Sequence, residues 1–394
     1  MAKTYDTYKD SGSVWVGDIP SEWNIGNFRY FGEFTKGKLP STTNTEGKGL
    51  PIIGASEMLG KECRTFSEDA NVPQCSNDDI LILWDGANAG IISSHHKGIV
   101  SSTAVKYHCS NSDVNKNFLY YFLKSVEPNF KEKVNGTTIP HMNMKYINEI
   151  PLLMPPLSVQ QSISSFLDTK CGEIDSLISI QEEMISELLA YKQSVITEAV
   201  TKGLDKKAKM KNSGVEWIRD IPEEWEVCKV KNIANITNGS DPKTEGDIPV
   251  YGSGDGSFKT CGEYKEGPVV LLGRKGATLH IPHYIEGKYW NVDTAFDVKM
   301  KGNNSLKFFF YNAKCFDYKS YISATTLPSM TQTNYNNMKI PLPPLPVQQA
   351  IATYLDEKTS QIDSLIALKQ SKIESLKEYK KSIIYEYVTG KKRV

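Results

Sequence analysis

The sequence has no apolar run that approaches the ~18 residues of a membrane span, and it has no C-x-x-C pair. Its seven cysteines, an odd number, lack the spacing of a metal site and are typical of reduced thiols in a cytosolic protein. The polar opening segment MAKTYDTYKD does not have the form of a signal peptide. We therefore expect a cytoplasmic protein that does not contact a membrane.

Motifs that mark a catalytic centre are also missing. The glycine-lysine pairs lack the spacing of a phosphate-binding loop, and neither H-E-x-x-H nor G-x-S-x-G occurs. His95 and His96 are adjacent, but neighbouring side chains point apart, so a surface pair is the simpler interpretation than a metal site. The Pro-Pro pairs that begin at Pro155 and Pro343 precede leucine and predict helix starts, not an adenine-methylating motif. We predict that the chain is not catalytic by itself and holds no metal or cofactor.

An excess of charge of either sign is missing as well. The chain has 46 basic and 46 acidic residues. Its composition therefore neither indicates nor excludes a nucleic-acid partner, and any basic surface must be local. With 394 residues, of which 39% are hydrophobic, the chain has room for two or three ordinary domains.

One long segment of the sequence occurs twice. The pattern of residues 157–201 is repeated 188 positions later in the sequence. Residues 174–178 and 362–366, for example, both read I-D-S-L-I. In each copy apolar residues recur in alternating steps of four and three, which predicts a long helix with a coiled-coil seam. The predicted seam residues are Leu167, Ile174, Ile178, Ile185 and Leu188 in the first copy, and Leu355, Ile362, Ile366, Ile373 and Leu376 in the second.

Polar residues interrupt both seams at the same places. They are Gln181 and Lys192 in the first copy, and Lys369 and Lys380 in the second. They fix the register or the partner of the helices, or they lie at frayed faces, and the sequence leaves both interpretations open. A single helix cannot bury its seam, so each copy needs a partner.

The ends and charges of the two copies indicate what that partner is. Ser158 and Gln161 have the spacing of a capping box, and Gly203 and Gly390 follow the last periodic residues as stops. Residues 158–204 contain seven acidic and three basic residues, whereas residues 344–394 contain nine basic and six acidic residues. The net charges of −4 and +3 favour pairing between the two copies.

The duplication also includes the segments outside the helices. Residues 15–23 and 217–225 share W-x-x-D-I-P-x-E-W, and T-T-x-P occurs at residues 137–140 and 325–328. Strand patterns at residues 80–84, 100–107 and 269–272, and short helices at 117–123 and 306–311, predict an α+β fold. The predicted segments are a first α/β domain over residues 1–156, a helix over 157–204, a linker from residue 205 and second α/β domain over 205–343, and a helix over 344–394.

The order of domain, helix, domain and helix predicts a topology. If the ends of the second domain lie close together, the two helices must pair as an antiparallel coiled coil. The two α/β domains would then form a pseudo-twofold tandem repeat and lie roughly one helix apart, which is ~57 Å for residues 163–200.

Two glycine-containing loops are the best candidates for ligand contacts. WDGANAG at residues 84–90 and GRKGATLH at residues 273–280 follow strands at corresponding places. Asp85, Asn88, Arg274 and Lys275 offer groups for base-edge or phosphate contacts, and the glycines permit a close backbone approach. The alternative is an ordinary solvated hairpin.

Paired hydroxyls and lysines supply further candidate contacts. Thr137 and Thr138, like Thr325 and Thr326, precede a proline and suit either phosphate oxygens or a helix cap. Lys36 and Lys38 flank Gly37 in what we predict to be a flexible loop. They suit either contacts to phosphate groups or an ordinary solvated surface.

These motifs together resemble one protein family. Each of the two variable domains is introduced by D-I-P-x-E-W and is followed by P-P-L-x-V-Q-Q, I-D-S-L-I, Y-K and E-x-V-T. Their order and duplication are similar to those of the specificity subunit of type I restriction-modification systems, over essentially the whole chain.

The resemblance implies a DNA-binding protein without its own catalytic residues. In that family two target-recognition domains each read half of a split sequence in double-stranded DNA, and the helices dock two modification subunits. Restriction subunits complete the assembly. S-adenosylmethionine, ATP and magnesium are then expected in those partner subunits and not in this chain.

Two alternatives remain. A bivalent coiled-coil scaffold that binds protein or carbohydrate would also have two domains and near-neutral charge. A specificity subunit of a system with a fused methyltransferase-nuclease partner would have the same motifs. DNA binding that weakens steeply with salt separates the first alternative from the others.

Overall fold

The computed structural model describes residues 4–132, 141–143, 147, 150–322 and 328–394. The chain forms two compact units. Unit 1 contains residues 1–180 and 371–394, and unit 2 contains residues 181–370. Each unit combines short strands with helices, so the predicted α+β class is confirmed.

Unit 1 contains twelve described strands, the helices α1 and α2, and parts of the long helices α3 and α7. The strands are β1 (Tyr8–Asp10), β2 (Asp18–Pro20), β3 (Asn24–Asn27), β4 (Gly32–Lys36), β5 (Leu50–Ile53), β6 (Phe66–Ser67), β7 (Gln74–Cys75), β8 (Ile80–Leu83), β9 (Ile92–Ser94), β10 (Gly98–Val100), β11 (Ala104–Cys109) and β12 (Pro151–Met154). The helices are α1 (Ala55–Met58), α2 (Lys116–Glu132), α3 (Leu157–Lys202) and α7 (Leu345–Val388), with a 3₁₀ turn at Phe28–Tyr30.

Unit 2 contains a second set of twelve described strands, the remaining parts of α3 and α7, and three short helices. The strands are β13 (Met210–Asn212), β14 (Asp220–Pro222), β15 (Glu226–Lys229), β16 (Ala234–Asn238), β17 (Ile248–Tyr251), β18 (Ser257–Cys261), β19 (Lys265–Glu266), β20 (Val269–Gly273), β21 (His283–Ile285), β22 (Lys288–Asn291), β23 (Ala295–Met300) and β24 (Lys339–Leu342). The helices are α4 (Val230–Ile233), α5 (Leu306–Ala313) and α6 (Gln332–Asn337), with a 3₁₀ turn at Tyr318–Ser320.

The two units have the same sheet topology. In unit 1 the four-stranded sheets have the orders β6-β5-β10-β7 and β4-β11-β8-β9, and the two-stranded sheets are β1-β2 and β12-β3. Adding twelve to each strand number gives the sheets of unit 2, namely β18-β17-β22-β19, β16-β23-β20-β21, β13-β14 and β15-β24. Even the parallel pair recurs, as β5 with β10 and β17 with β22. The predicted tandem repeat is therefore confirmed strand by strand.

One local prediction is wrong. Residues 100–107 are not one strand, because the chain turns where Ala104 N–H donates to the Ser101 carbonyl at 2.9 Å. β10 and β11 consequently belong to different sheets. The predicted linker contains a strand, since Met210–Asn212 pairs with β14. The predicted short helices at residues 117–123 and 306–311 are present, and the first continues to Glu132.

The predicted glycines follow the ends of both long helices, Gly203 directly after α3 and Gly390 two residues after α7, but the start of α3 differs from the prediction. Gly203 and Gly390 have positive φ values of 75° and 72°, and each packs close to a tryptophan ring, Trp225 and Trp23 respectively. Ser158 does not cap α3, because the helix already includes Leu157. The carbonyl that receives the first helical N–H groups belongs instead to the proline before the helix, Pro156 in α3 and Pro344 in α7.

Within each unit, one half of α3 packs antiparallel against one half of α7. In unit 1 the Phe166 and Tyr387 rings lie 4.5 Å apart, and Lys380 Nζ donates to the Asp175 carboxylate at 2.6 Å. The equivalent pair in unit 2, Lys192 Nζ and the Asp363 carboxylate, also lies at 2.6 Å. Two of the three lysines that interrupt the seam, Lys192 and Lys380, thus pair with an aspartate of the opposite helix.

The ten predicted seam residues are buried to different degrees. Leu167, Ile174, Leu355, Ile362, Ile366, Ile373 and Leu376 are buried, whereas Ile178, Ile185 and Leu188 are half-buried. At the remaining polar positions, Lys369 Nζ lies 3.5 Å from Gln181 Oε1. The seam is therefore more tightly covered near the two α/β domains than at the middle of α3.

A buried glutamine joins each long helix to its own domain. Gln160 is 1% exposed; its Oε1 accepts from the Asn115 N–H at 2.8 Å, and its Nε2 donates to the Asp113 and Pro155 carbonyls. In unit 2 Gln348 accepts likewise from the Ser305 N–H and donates to the Pro343 carbonyl, and its third bond goes to the side-chain oxygen Oδ1 of Asn304. This is the first glutamine of the V-Q-Q motif, and it explains why the motif occurs twice.

We expect Gln160→Leu to destabilise unit 1 by about 1 to 3 kcal/mol, because it removes the hydrogen-bond partner of three backbone groups, of which the Pro155 carbonyl is buried. Hydrogen exchange of the α2 amides and denaturant unfolding would measure the loss. The matched control is Gln161→Leu, since Gln161 is exposed on the same helical turn. Equal stability of both variants would contradict this role of Gln160.

Candidate nucleic-acid interface

The loop after β8 is held by backbone hydrogen bonds on both sides. The Trp84 N–H donates to the Thr103 carbonyl at 2.8 Å, and the Trp84 carbonyl accepts from the Met142 N–H at 2.9 Å. Trp84 is itself buried. The strand end, the turn before β11 and the segment at residues 141–143 therefore meet at one place in unit 1.

The loop after β20 has the same frame. The Arg274 N–H donates to the Thr294 carbonyl at 2.7 Å, and the Arg274 carbonyl accepts from the Met330 N–H at 2.9 Å. Arg274 is therefore the structural equivalent of Trp84. The residues that follow, Asp85 and Lys275, are equivalent too, and each forms an isolated β-bridge to the residue before the methionine. Those bridge partners are His141 in unit 1 and Ser329 in unit 2.

In unit 1 this position is a three-residue polar cluster. Lys36 Nζ lies 2.5 Å from Asp85 Oδ2, and His141 Nδ1 lies 2.5 Å from Asp85 Oδ1. The Lys36 ammonium also lies 5.8 Å from the centre of the Trp84 ring, and the His141 ring meets that ring edge-on. We call Lys36, Asp85 and His141 the unit 1 cluster.

The cluster keeps Asp85 ionised. Burial alone would raise the pKa of Asp85, but the hydrogen bonds from Lys36 and His141 outweigh it and lower the pKa below the usual value. The carboxylate therefore acts only as an acceptor. It holds two side chains that remain open to solvent, since Lys36 is 45% and His141 is 60% exposed.

In unit 2 the two loop residues at the equivalent position, Arg274 and Lys275, have side chains that can only donate hydrogen bonds. Arg274 Nη1 donates to the Asp293 carbonyl at 3.1 Å, and the guanidinium lies 3.9 Å from the Asp293 carboxylate and 6.0 Å from the Phe296 ring. Among the described residues, none makes a hydrogen bond or ion pair with the Lys275 side chain. Lys275 is half-buried and is available to a ligand.

The other predicted contact residues are less closely grouped. Asn88 is exposed in the loop after β8. Lys36 does not lie in a loop, because it ends β4 opposite Val105. Lys38 follows the strand, and its N–H donates to the Val100 carbonyl at 3.2 Å. Gly37 lies so close to the Ser101 carbonyl that a Cβ would come within 2.1 Å of it. Thr137, Thr138, Thr325 and Thr326 lie outside the described residues.

Sequence reasoning missed His141. The signal was available, because the repeated motif reads T-T-I-P-H-M at residues 137–142 and T-T-L-P-S-M at residues 325–330. Between these two copies only one position changes from one chemical class to another, and it is His141 in unit 1 and Ser329 in unit 2. The structure places this position beside the loop after β8 or β20. A variable polar residue inside a repeated frame therefore marked the position.

Other potential sites are less well supported. His95 and His96 bond to Ser94 and Ser93, at 2.8 and 2.6 Å. Within the described part of the chain, no group of three or more histidine, cysteine or acidic side chains is placed to hold a metal ion. No helix in that same part is both long and apolar enough to cross a membrane.

The long helices carry a repeated set of exposed apolar residues. Unit 1 exposes Leu177 and Ile180 of α3 and Tyr379 of α7. Unit 2 exposes their equivalents, 188 positions away, which are Leu365, Leu368 and Tyr191. Each of the six side chains is about half exposed or more. Each unit therefore presents a similar apolar helical surface.

The chain matches a family model in both of its repeats. The model is described as the type I restriction modification DNA specificity domain, and it matches residues 20–189 and 222–378. The matched parts make up most of each unit.

Individual proteins agree with this match. The type I restriction enzyme MjaVIII specificity subunit of Methanocaldococcus jannaschii is 29% identical over 95% of this chain and 94% of its own length. The EcoDI specificity subunit of Escherichia coli is 20% identical over 89% of this chain and 84% of its own length. A solved chain from work on complex assembly and conformational transition of the type I R-M system has a similar fold, with a TM-score of 0.71 and 15% identity. That similarity covers 94% of this chain and 98% of the solved one.

Proposed function

The chain belongs to the type I restriction-modification specificity family, and from this premise we propose that its two units read the two halves of a split, asymmetric DNA target. The observation that carries the proposal is that the loops after β8 and β20 are held by the same backbone hydrogen bonds but carry different side chains. The bonds at Trp84 and Arg274 are the same, but the groups presented next to them are not. Two copies of one scaffold thus read different base pairs.

The helices are the proposed docking surface for two modification subunits. Each unit exposes the same apolar set on α3 and α7, and a repeated surface suits two copies of one partner. The partner subunits would supply S-adenosylmethionine chemistry, and restriction subunits would supply ATP- and magnesium-dependent cleavage. The chain itself contributes sequence choice, because specificity subunits are not catalytic. The paired helices would set the number of unread base pairs between the half-sites.

The test is methylation mapping with the double variant Arg274→Ala and Lys275→Ala. The complex of this chain with its modification subunits should methylate one split sequence, and the variant should weaken or change only the half read by unit 2. An arginine contact to a base edge contributes about 1 to 3 kcal/mol of discrimination. Lys301→Ala is a matched control, because Lys301 lies after β23 and its Nζ donates to the Lys231 carbonyl.

Three outcomes would contradict the proposal. The isolated chain could methylate DNA with S-adenosylmethionine, or the complex could methylate without sequence preference. The double variant could also alter both half-sites equally. Steep weakening of DNA binding between 50 and 200 mM salt, by roughly 10³-fold for six phosphate contacts, is the expected companion result.

A further inference from the structure

The unit 1 cluster presents one hydrogen-bond donor and one acceptor to solvent. The Lys36 ammonium has N–H groups to spare after one bond to Asp85. His141 uses Nδ1 for the ionised carboxylate of Asp85, so Nδ1 carries a ring proton, and in the neutral form of the imidazole that proton is the only one on the ring. Nε2 is then a lone-pair acceptor, and no described residue bonds to it.

We propose that the unit 1 cluster recognises an adenine in the half-site read by unit 1. In the major groove adenine presents the N7 acceptor next to the N6 amino donor. Lys36 would donate to N7, and His141 Nε2 would accept from the N6 amino group. Both side chains bind to the same carboxylate, one at each oxygen, so Asp85 holds the donor and the acceptor in one cluster. Asp85 is a positioning residue in this arrangement and does not touch the base.

The equivalent position in unit 2 supports this assignment by contrast. Arg274 and Lys275 present donors only, and Ser329 replaces the histidine. Two donors match the N7 and O6 acceptors of guanine. The same backbone frame would thus read adenine in one unit and guanine in the other, which accounts for an asymmetric target. The inference rests on the proposed function, because it assumes that these loops enter the major groove.

Asp85→Asn provides a sharp test because it should invert the histidine tautomer. Lys36 can only donate, so it takes the amide oxygen of the new asparagine. The amide N–H then faces His141 Nδ1, which must accept, and the ring proton moves to Nε2. The cluster would present two donors, which match guanine. We expect methylation mapping to show a change from adenine towards guanine at one position of the unit 1 half-site, with the other half unchanged.

A second variant shows whether the change depends on the histidine. In the double variant Asp85→Asn and His141→Leu, the new donor is absent, so the preference for guanine should disappear. Asp293→Asn is the matched control in unit 2, and it should leave the unit 1 half-site unaltered. A mere loss of folding in unit 1 would abolish methylation and would not exchange one base for another.

The unmodified protein gives an independent measurement. Once the target is mapped, competition binding of the wild-type complex would use duplexes with 7-deazaadenine or purine at single adenines of the unit 1 half-site. One adenine should be sensitive to both changes, each by roughly tenfold. Insensitivity of every adenine to the two analogues would overturn the inference, whatever the variants do. Specific methylation with that insensitivity would leave the proposed function intact, whereas an absence of specific methylation would contradict the proposed function itself.

Discussion

Leu376→Asp should largely unfold unit 1. Leu376 is 9% exposed and lies in the same buried cluster as Leu167 and Ile174, so the substitution places a carboxylate without a partner in an apolar interior. The cost is several kcal/mol, and a typical domain has only about 5 to 15 kcal/mol of stability. Hydrogen exchange would show loss of protection in β8, β11 and α2, while unit 2 keeps its protection.

A neighbouring position on the same helix provides the control. Tyr379 lies one turn away and is 56% exposed, so Tyr379→Asp should leave the unfolding free energy nearly unchanged. Comparison with Leu188→Asp, the repeat-equivalent substitution in unit 2, adds a second test. Leu188 is only half-buried, and its replacement should cost less than that of Leu376. Equal stability of the Leu376→Asp and Tyr379→Asp variants would refute the assignment of Leu376 to the seam.

Inserting one heptad into both long helices should abolish methylation of the natural target and create a new one. The insertions belong between Ile178 and Ile185 and between Ile366 and Ile373, where seven residues preserve the seam register. They add ~10 Å of helix. DNA rises ~34 to 36 Å in about ten base pairs, so the unread spacer should lengthen by about three base pairs. Neither half-site should change, because the loops after β8 and β20 are untouched.

Methylation mapping of the variant with both insertions measures the length of its unread spacer. The control is a variant with the heptad in only one helix. The single insertion leaves the second helix without matching seam residues, and it should destabilise the chain without producing a new spacer. An unchanged spacer in the double variant would show that the helices do not set the distance between half-sites. Altered half-sites would show that spacing and reading are not independent.

The long helices and the repeat could be predicted from the sequence because each leaves a periodic signal. Seam residues such as Leu167 recur every three or four positions, and matching anchors such as D-I-P-x-E-W fix the order of the parts. The strand pairing could not be predicted, because the four-stranded sheets join residues far apart, as in β5 with β10. Such pairs depend on tertiary packing that short apolar segments do not encode.

The candidate site was only partly predictable for a related reason. Asp85, Arg274 and Lys275 follow strands, so their loops could be located from local patterns. His141 is 56 positions from Asp85 in the chain, and only the fold brings the two side chains within 2.5 Å. The capping prediction for Ser158 was wrong because a Pro-Pro-Leu segment already starts the helix one residue earlier. Local composition shows which groups are available, whereas the fold determines which groups meet.

Unit 1 consists of two segments that lie far apart in the sequence, and this separation affects the order in which the units are completed on the ribosome. Residues 1–180 emerge first, but their apolar seam on α3 is completed only by residues 371–394. Translation of the intervening 190 residues takes roughly 10 to 40 s at 5 to 20 residues per second. Unit 2 is continuous and is complete at the end of that interval, before residues 371–394 have been added to unit 1. The second unit to be started is therefore the first to be completed. A nascent chain that stops before residue 371 leaves unit 1 with an uncovered helix.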